Sequence, residues 1–478
     1  MDKKIVKNYI YNISYQILLI IAPLVTAPYI SRVLHAKGVG LYSYTETIAS
    51  AFALFAGLGF STYGQREIAY HQDDKKKRSV IFYEIVIFRF FIVLIVSVLF
   101  FVFCFYYKKY TSYLISQYFI ILAVMFDVSW YFHGMENFRI TVLRNIIIKI
   151  ITILLTFVLV KNEKDIIVYI LLHSISILAS NLFYCFIIHR YVERVKFKIL
   201  NPLRHIRGTF EFFIPLIAVK IYSYLDKIML GYFMADTLEN GYYEQARKMT
   251  ALIVSMIVSL NTVMMSRVSN LYAHGKKDEI KEFYRKTFNI ILLMVIPIAI
   301  GLILVSENFA IWYFGSDFEK VGTLMQLSSI LIVFMCIGNF VGVQFLGPTG
   351  LQNKMTKAYI VAALTNVLLN IIMIPKFCSV GAMIASIIAE FLSCAIQILY
   401  LNRSEYRISL FFSVWKYICA GAIMGILILV IHTIFGLSGF YSTFVDIIVG
   451  TIVYFACLYC FGEENVVLLK EKIATRKK

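Results

Sequence analysis

Seven side chains that could hold an anion lie in or beside long apolar stretches of the sequence. Six are basic and one is a tyrosine: Arg32, Arg89, Lys149, Lys220, Tyr224, Lys227 and Arg247. An ionisable group at membrane depth costs about 3 kcal/mol and usually faces an aqueous cavity. Lysine and arginine are the residues that suit a phosphate or a pyrophosphate. The set therefore predicts a cationic cavity that binds an anionic ligand.

Three of these residues share one helical face. Lys220 and Lys227 are seven positions apart, which is about two helical turns, and Tyr224 lies between them. Arg32 and Arg247 lie near predicted helix ends, from which a long side chain can reach the membrane interface. For these two arginines, a structural role and a ligand-binding role both stay open.

Acidic residues in the apolar stretches are fewer, and five of them are candidate site residues: Asp127, Asp226, Glu244, Glu390 and Asp446. They could couple transport to an ion gradient, or they could pair with the basic residues, and the sequence favours neither. Glu244, just before the predicted span 246–268, has a further possible partner in Lys248 at the i+4 position.

The motifs of common enzymes are missing from the sequence. It contains no G-x-x-x-x-G-K-[ST] loop, which predicts that the chain does not hydrolyse ATP itself. The eight cysteines are scattered and do not combine with histidines at the spacing of a metal site. We therefore expect that the chain is not an enzyme and binds no metal or cofactor. Any energy for transport would come from a membrane gradient, such as one of H⁺ or Na⁺, or from consumption of the substrate.

The composition indicates where these residues lie. Of 478 residues, 60% are hydrophobic and 15% are charged, and the mean hydropathy is +0.77, whereas soluble domains are about 25% charged. Apolar runs of about 20 residues, the length of a transmembrane helix, recur throughout. We predict an all-α integral membrane protein with about 14 spans, at 10–33, 41–64, 80–106, 113–134, 141–161, 166–189, 208–233, 246–268, 286–306, 323–346, 357–375, 379–400, 412–435 and 441–461.

The net charge of +18 follows this topology. With the N-terminus inside, the outer loops hold only seven of the 46 Lys and Arg residues: Lys37, Lys108, Lys109, Lys161, Lys164, Lys320 and Lys376. Basic residues concentrate on the cytoplasmic side, so both termini are predicted to be cytoplasmic. Topology and attraction to anionic lipid account for the positive charge, and we expect no nucleic-acid partner.

Two halves of the sequence repeat one another. Tyr42, in Gly38-Val-Gly-Leu-Tyr42, is 201 positions before Tyr243, and His71 is 203 positions before His274 in a similar basic loop. The pattern predicts a duplicated six-helix unit, an arrangement that transporters use to build a site between lobes. The predicted divisions are an N-lobe (1–190), a cytoplasmic linker (191–207), a C-lobe (208–402) and two further helices with a basic tail (403–478).

Proline residues mark candidate hinges inside the predicted helices. Pro23 and Pro28 lie in the first helix, and Pro215 lies in the seventh, its repeat partner. Each proline removes a backbone donor, which bends a helix and is tolerated where neighbours or water satisfy the freed carbonyl. Curvature for packing is an equally good explanation.

Ordered motifs from residue 8 to residue 390 resemble those of the oligosaccharide repeat-unit flippases (Wzx type), polysaccharide biosynthesis proteins of the MOP exporter superfamily. The matching segments are Pro23-Leu-Val-Thr-Ala-Pro28-Tyr-Ile-Ser-Arg32, Gly38-Val-Gly40-Leu-Tyr-Ser43, Tyr63-Gly-Gln-Arg66-Glu67, Trp130-Tyr-Phe-His-Gly134-Met-Glu136 with Arg144-Asn145, Phe213-Ile-Pro215, Tyr224-Leu-Asp226-Lys227, Gly241-Tyr-Tyr-Glu244, and Asn366, Asn370, Pro375, Gly381 and Glu390. One departure is His35, where the family usually has glycine.

The resemblance implies a MOP/MATE-like fold with two six-helix lobes around a cationic cavity. It also implies alternating-access transport of an undecaprenyl-pyrophosphate-linked oligosaccharide across a bacterial plasma membrane, for capsule, exopolysaccharide or O-antigen assembly. The expected partners are that anionic glycan, membrane lipids, and a polysaccharide polymerase with glycosyltransferases. Two alternatives stay open: a multidrug or cation antiporter of the same fold, and a membrane glycan polymerase.

Overall fold

A computed structural model gives the architecture of the chain. It describes the backbone of residues 3–404, 414–436 and 438–467, and the side chains of these except 3–14, 215, 218–219, 221–222, 260–263 and 265–266. The main helices are α1 (Lys3–Gly57), α2 (Phe60–Tyr70), α3 (Lys75–Tyr106), α4 (Thr111–Phe126), α5 (Ser129–Gly134), α6 (Phe138–Leu159), α7 (Ile166–Ile187), α8 (Ile206–Phe233), α9 (Leu238–Ala273), α10 (Lys277–Phe314), α11 (Glu319–Asn339), α12 (Gln352–Asn402), α13 (Val414–Phe435) and α14 (Gly439–Cys460). The predicted all-α fold class is confirmed.

Ten helical segments within the described residues are long and apolar enough to cross a membrane. Two helices are too long for one crossing: α1 has 55 residues and α12 has 51, about 80 Å each against a hydrocarbon core of about 30 Å. Each is two helices joined at a non-helical residue, His35 in α1 and Cys378 in α12. The predicted total of about fourteen spans stays a prediction.

The surface of these helices is typical of a lipid-facing protein. On α3, Phe91, Leu94, Ile95, Val98 and Leu99 are all exposed, although a soluble protein rarely leaves so continuous an apolar band in water. The opposite face of α3 is buried and polar at several positions. This protein is therefore a multi-pass membrane protein, and α3 turns its buried polar residues away from the lipid.

The chain divides into two compact units, 1–241 and 242–478. In the first unit, α4 packs closely on α1 and α7, and in the second, α10 packs on α11, α13 and α14. The first unit extends past the predicted N-lobe and includes α8. Compactness is a different property from internal duplication, so the predicted lobe boundaries stay predictions.

The predicted cytoplasmic linker is attached to the first unit by a buried polar cluster. Glu84 of α3 accepts hydrogen bonds from the His205 ring (Nε2–Oε2 2.9 Å) and from Arg204 (2.5 Å). The Tyr63 hydroxyl lies 2.7 Å from Nδ1 of the same ring, and the backbone N–H of Asn201 donates to Glu84 at 2.7 Å. Glu84 and His205 are 1% and 2% exposed, so the linker contributes to the core of this unit.

Candidate functional site

The residues predicted on one face of the seventh span are carried by α8. Lys220 is exposed, whereas Tyr224 and Lys227 are half-buried two turns further along the helix. Asp226 is buried, at 1% exposure. The backbone carbonyl of Lys227 accepts a hydrogen bond from the Asn240 amide at 2.8 Å. This part of α8 therefore offers one accessible ammonium group and a second that is partly sheltered.

An acidic residue outside the predicted set lies close to this face. Glu46, in the second half of α1, interacts electrostatically with Tyr224, as does Lys227. Its carboxylate accepts a hydrogen bond from the Ser50 hydroxyl at 2.9 Å. The sequence signal was an acid inside the apolar stretch 41–64. Its partner on α8 depended on how the two helices pack.

Arg89 of α3 occupies a different environment. The side chain is only 1% exposed, and it donates hydrogen bonds to the backbone carbonyls of Asp127 and Val124. Its guanidinium also lies 5.1 Å from the Phe60 ring and 5.9 Å from the Trp130 ring. The Asp127 carbonyl also accepts the indole N–H of Trp130 at 3.1 Å, and the Val124 carbonyl also accepts the backbone N–H of Asp127 at 3.3 Å. Arg89 therefore joins α3 to the α4–α5 corner, and it presents almost no surface to a ligand in this conformation.

Asp127 organises the same corner. Its carboxylate accepts the backbone N–H of Ser129 at 3.0 Å, in the manner of a helix cap for α5, and lies 3.4 Å from the Ser61 hydroxyl. It also interacts electrostatically with Arg89 and Arg144. Of the two roles predicted for this acid, these contacts correspond to charge pairing.

A further arginine, which the sequence reasoning did not place among the site residues, lies on α6. Arg144 donates to the backbone carbonyl of Ser180 at 2.7 Å and to the Asn145 side chain at 2.6 Å. Its guanidinium lies 4.0 Å from the Tyr184 ring. Lys149, one turn beyond Asn145, is half-buried. The motif Arg144-Asn145 was the available signal, but its partners on α7 could not be read from it.

In the second unit, buried polar side chains of α9 and α12 form a row of hydrogen bonds. The Asn370 amide donates to the Asn366 carbonyl oxygen at 3.1 Å, and the Asn366 amide lies 3.5 Å from the Ser386 hydroxyl. Tyr243 contacts the same hydroxyl at 3.3 Å. Glu390, one turn beyond Ser386 on α12, is half-buried. An acid next to buried amides and hydroxyls is a chemically suitable place for a proton or a small cation.

Two other predicted acids have basic partners. Glu244 lies 3.3 Å from Lys248 on the same helix, the pairing that the i,i+4 spacing predicts. Asp446 of α14 is 3% exposed, and both of its oxygens lie 2.9 Å from Nε2 of His432 on α13.

The last two predicted basic residues lie near helix ends. Arg32 is exposed and Arg247 is half-buried. Arg32 lies just before the break in α1, and Arg247 lies in α9, three residues beyond Glu244. Among the residues that the structure describes, no group of three or more His, Cys, Asp or Glu could hold a metal ion.

The break in α1 is not at the predicted hinge prolines. Pro23 and Pro28 lie within helical backbone, and the non-helical residue is His35, with φ 53° and ψ 175°. L residues rarely adopt that conformation, which explains why glycine suits this position. The side chain of Pro215 lies outside the described residues, so its predicted hinge role stays a prediction.

The sequence of this chain is similar to two protein families and to bacterial transport proteins. The polysaccharide biosynthesis protein family matches residues 5–271, and the MatE family matches residues 213–373. The chain is 21% identical over 282 residues to a Shigella dysenteriae protein named as an O-antigen transporter, covering 59% of this chain and 70% of that one. It is 21% identical over 414 residues to an Escherichia coli (strain K12) protein of the same name, covering 84% and 97%.

A solved structure shows the same fold. The lipid II flippase MurJ in an inward closed conformation superposes with a TM-score of 0.74 at 17% sequence identity, covering 96% of this chain and all of that one. At this identity the likeness concerns the fold alone, and it confirms the predicted MOP-type architecture.

Proposed function

Because this chain belongs to the polysaccharide biosynthesis protein family, we propose that it is a flippase for a lipid-linked glycan. The cargo is an undecaprenyl-pyrophosphate-linked oligosaccharide repeat unit, moved from the cytoplasmic to the outer leaflet by alternating access. The relatives named for O-antigen transport support this class of substrate. The membrane is a bacterial plasma membrane, and both termini are cytoplasmic.

One observation carries the proposal: α8 keeps basic groups accessible inside an apolar helix. Lys220 is exposed, and Tyr224 and Lys227 are half-buried on the same face. An ammonium group is strongly hydrated and forms short, charge-assisted hydrogen bonds to phosphate oxygens. Lys220 and Lys227 therefore hold the pyrophosphate, with Lys149 and Arg32 as further cations, and the Tyr224 ring contacts the sugar next to the phosphate. The lipid tail stays in the bilayer.

The remaining predicted residues fall into a structural group, a ligand-binding residue and candidates for ion coupling. Arg89 and Asp127 act as structural residues of the α4–α5 corner, whereas Arg247 keeps its predicted place in the ligand site. Glu390 and Asp226 are our candidates for coupling to an H⁺ or Na⁺ gradient. A polymerase and glycosyltransferases would supply and consume the cargo, and both are proposed partners.

The proposal is tested by replacing cavity lysines while keeping their approximate size. In cells that depend on this chain for their surface glycan, Lys220→Gln and Lys149→Gln should each lower surface glycan about tenfold or more, because a charge-assisted hydrogen bond contributes about 1.5–3 kcal/mol. Lys376→Gln, which also removes an exposed lysine, is the matched control and should leave export unchanged.

Protein level, followed by an epitope tag, separates lost transport from lost folding. Full export at normal protein level in both cavity variants would remove these lysines from the mechanism. Drug sensitivity of cells that lack the chain addresses the antiporter alternative: hypersensitivity with intact surface glycan would favour it. Altered glycan chain length with intact export would favour the polymerase.

A further inference from the structure

Two glycines that the internal repeat relates to each other are in close backbone contact. Gly40 lies in the first turn after the break in α1, and Gly241 lies in the first turn of α9. They are separated by the same 201 positions that separate Tyr42 from Tyr243. Both glycines are buried, and both belong to the first compact unit.

The contact is reciprocal. A Cβ atom added to Gly40 would overlap the backbone carbonyl oxygen of Thr237, and a Cβ atom added to Gly241 would overlap that of Ala36. Ala36 and Thr237 are again 201 positions apart. Each glycine therefore faces the first carbonyl of the other helix, as two turns related by a local two-fold axis would do. Small residues allow such close helix approach in membranes, where Cα–H···O contacts stabilise it.

Two of the links around this contact are weak and accessible to water. The Lys37 ammonium lies 4.0 Å from the Asp236 carboxylate, with side-chain exposures of 72% and 47%, and Lys109 donates to the backbone carbonyl of Ala235 at 2.9 Å. Exposed ion pairs of this kind contribute little to stability. The Thr237 hydroxyl also donates to the backbone carbonyl of Lys37 at 3.0 Å. The two turns fit tightly, yet water could replace the polar groups that join them.

We propose that segments 36–40 and 237–241 form a gate at the outer end of the transport path, which closes only because Gly40 and Gly241 lack side chains. The gate rests on the proposed flippase function and on the predicted topology, which puts both segments outside. In the closed state the two glycines are in contact. In the open state the turns separate, and water solvates the exposed backbone carbonyls.

Accessibility of a buried residue at the contact reports on the gate without any cargo. Thr237 is 1% exposed, so in Thr237→Cys the new thiol should react slowly with a water-soluble maleimide in the full-length protein in lipid nanodiscs. The unsubstituted chain gives the background from its own cysteines. Adding Gly40→Ala or Gly241→Ala should raise the labelling rate about tenfold, because the extra methyl group favours the open population.

The reciprocal geometry makes a sharper prediction for the double variant. Either methyl group alone holds the two turns apart, so Gly40→Ala with Gly241→Ala should label little faster than either single variant. Gly57→Ala is the control, since no atom lies within 4 Å of the position that its Cβ would take. It should leave Thr237→Cys as protected as in the parent.

A crosslink tests closure without disturbing either glycine. Joining Lys37→Cys to Asp236→Cys with a short, reducible thiol crosslinker should stop glycan export, and reductant should restore it. Unchanged labelling of Thr237→Cys in both glycine variants, or full export by the crosslinked protein, would overturn the gate. If Lys220→Gln leaves export intact while the labelling behaves as expected, the flippase assignment of those lysines fails and the gate stands.

Discussion

The arginines of α3 and α6 and the lysines of α8 occupy similar apolar stretches of sequence but opposite environments in the first unit. Arg89 and Arg144 are buried, and backbone carbonyls and aromatic rings surround their guanidinium groups. Lys220 is exposed, and Lys227 is half-buried. The first pair contacts carbonyls at the end of α4 and on α7, whereas the second pair is wholly or partly open to solvent. A charge at membrane depth is therefore a sign of function only when its surroundings leave it accessible.

The largest expected effect concerns Arg89, one of the two buried arginines. Arg89→Met should destabilise the protein by about 3 kcal/mol, because it removes the donor that joins α3 to the carbonyls of Asp127 and Val124 and the cation that faces the Asp127 carboxylate. Thermal unfolding of the purified protein and its level in the membrane measure the loss. Lys220→Gln is the control and should unfold within about 0.5 kcal/mol of the parent. An Arg89→Met protein of normal stability with lost export would instead place Arg89 in the ligand site.

A charge-conserving exchange sharpens the comparison. Arg89→Lys should still cost about 2 kcal/mol, since an ammonium on a flexible stem cannot reproduce the planar guanidinium that lies against the Phe60 and Trp130 rings. Lys220→Arg should keep export within about threefold, because an exposed arginine also binds phosphate. Unfolding temperature and surface glycan are measured on both variants. Equal sensitivity of the two sites to the exchange would contradict the distinction between them.

The fold could be predicted from sequence because the bilayer imposes a length and a composition on every crossing. Apolar runs of about 20 residues produced helices over most of their length, although the predicted spans 41–64 and 113–134 are each interrupted, at residues 58–59 and 127–128. The break in α1 was harder to place, since prolines mark candidate bends, yet the backbone stays helical at Pro23 and Pro28. At His35 the chain adopts a positive φ in a residue that is not glycine, and residue type alone does not indicate this.

The site could be predicted only as a list of residue types. The spacing of Lys220, Tyr224 and Lys227 placed them on one face, which depends on a single helix. The approach of Glu46 to Tyr224 depends on packing between two helices, and so do the contacts that bury Arg89. Sequence periodicity indicates which face a helix buries, but it does not indicate which neighbouring helix that face meets.

The buried cluster of Glu84, His205 and Tyr63 predicts that the stability of the protein depends on pH. Burial lowers the pKa of His205 below its usual value of 6.5, and the positive charge of Arg204 lowers it further. The negative charges of Glu84 and Glu67 raise the same pKa but do not outweigh burial. The neutral ring donates from Nε2 to Glu84 and accepts from Tyr63 at Nδ1. As the pH falls below about 6.5, the unfolded chain binds a proton more readily than the folded one, so stability is present above that pH and declines below it.

Thermal unfolding at pH 7.5 and at pH 5.5 measures this decline. The parent should lose more stability than His205→Gln, because glutamine can also donate to Glu84 but does not titrate in this range. Acidic residues remote from His205 titrate alike in both proteins and cancel in the difference. Identical pH dependence would mean that the linker does not rely on the neutral imidazole.

The smallest expected effect lies at His35, which has an exposed side chain and a strained backbone, whereas Arg89 is buried in a regular helix. Its side chain is 45% exposed and pairs with Glu163 at 3.2 Å, a link that contributes little in water, while its backbone has φ 53°. Such a conformation costs about 1 kcal/mol or more in a residue with a Cβ.

His35→Gly should therefore stabilise the protein by up to about 1 kcal/mol, a rise of roughly 2 °C in Tm. His35→Ala loses the pair and keeps the strain, so its Tm should equal or fall below that of the parent. A lower Tm in His35→Gly than in His35→Ala would mean that the extra freedom of glycine in the unfolded chain outweighs the strain relieved at this break.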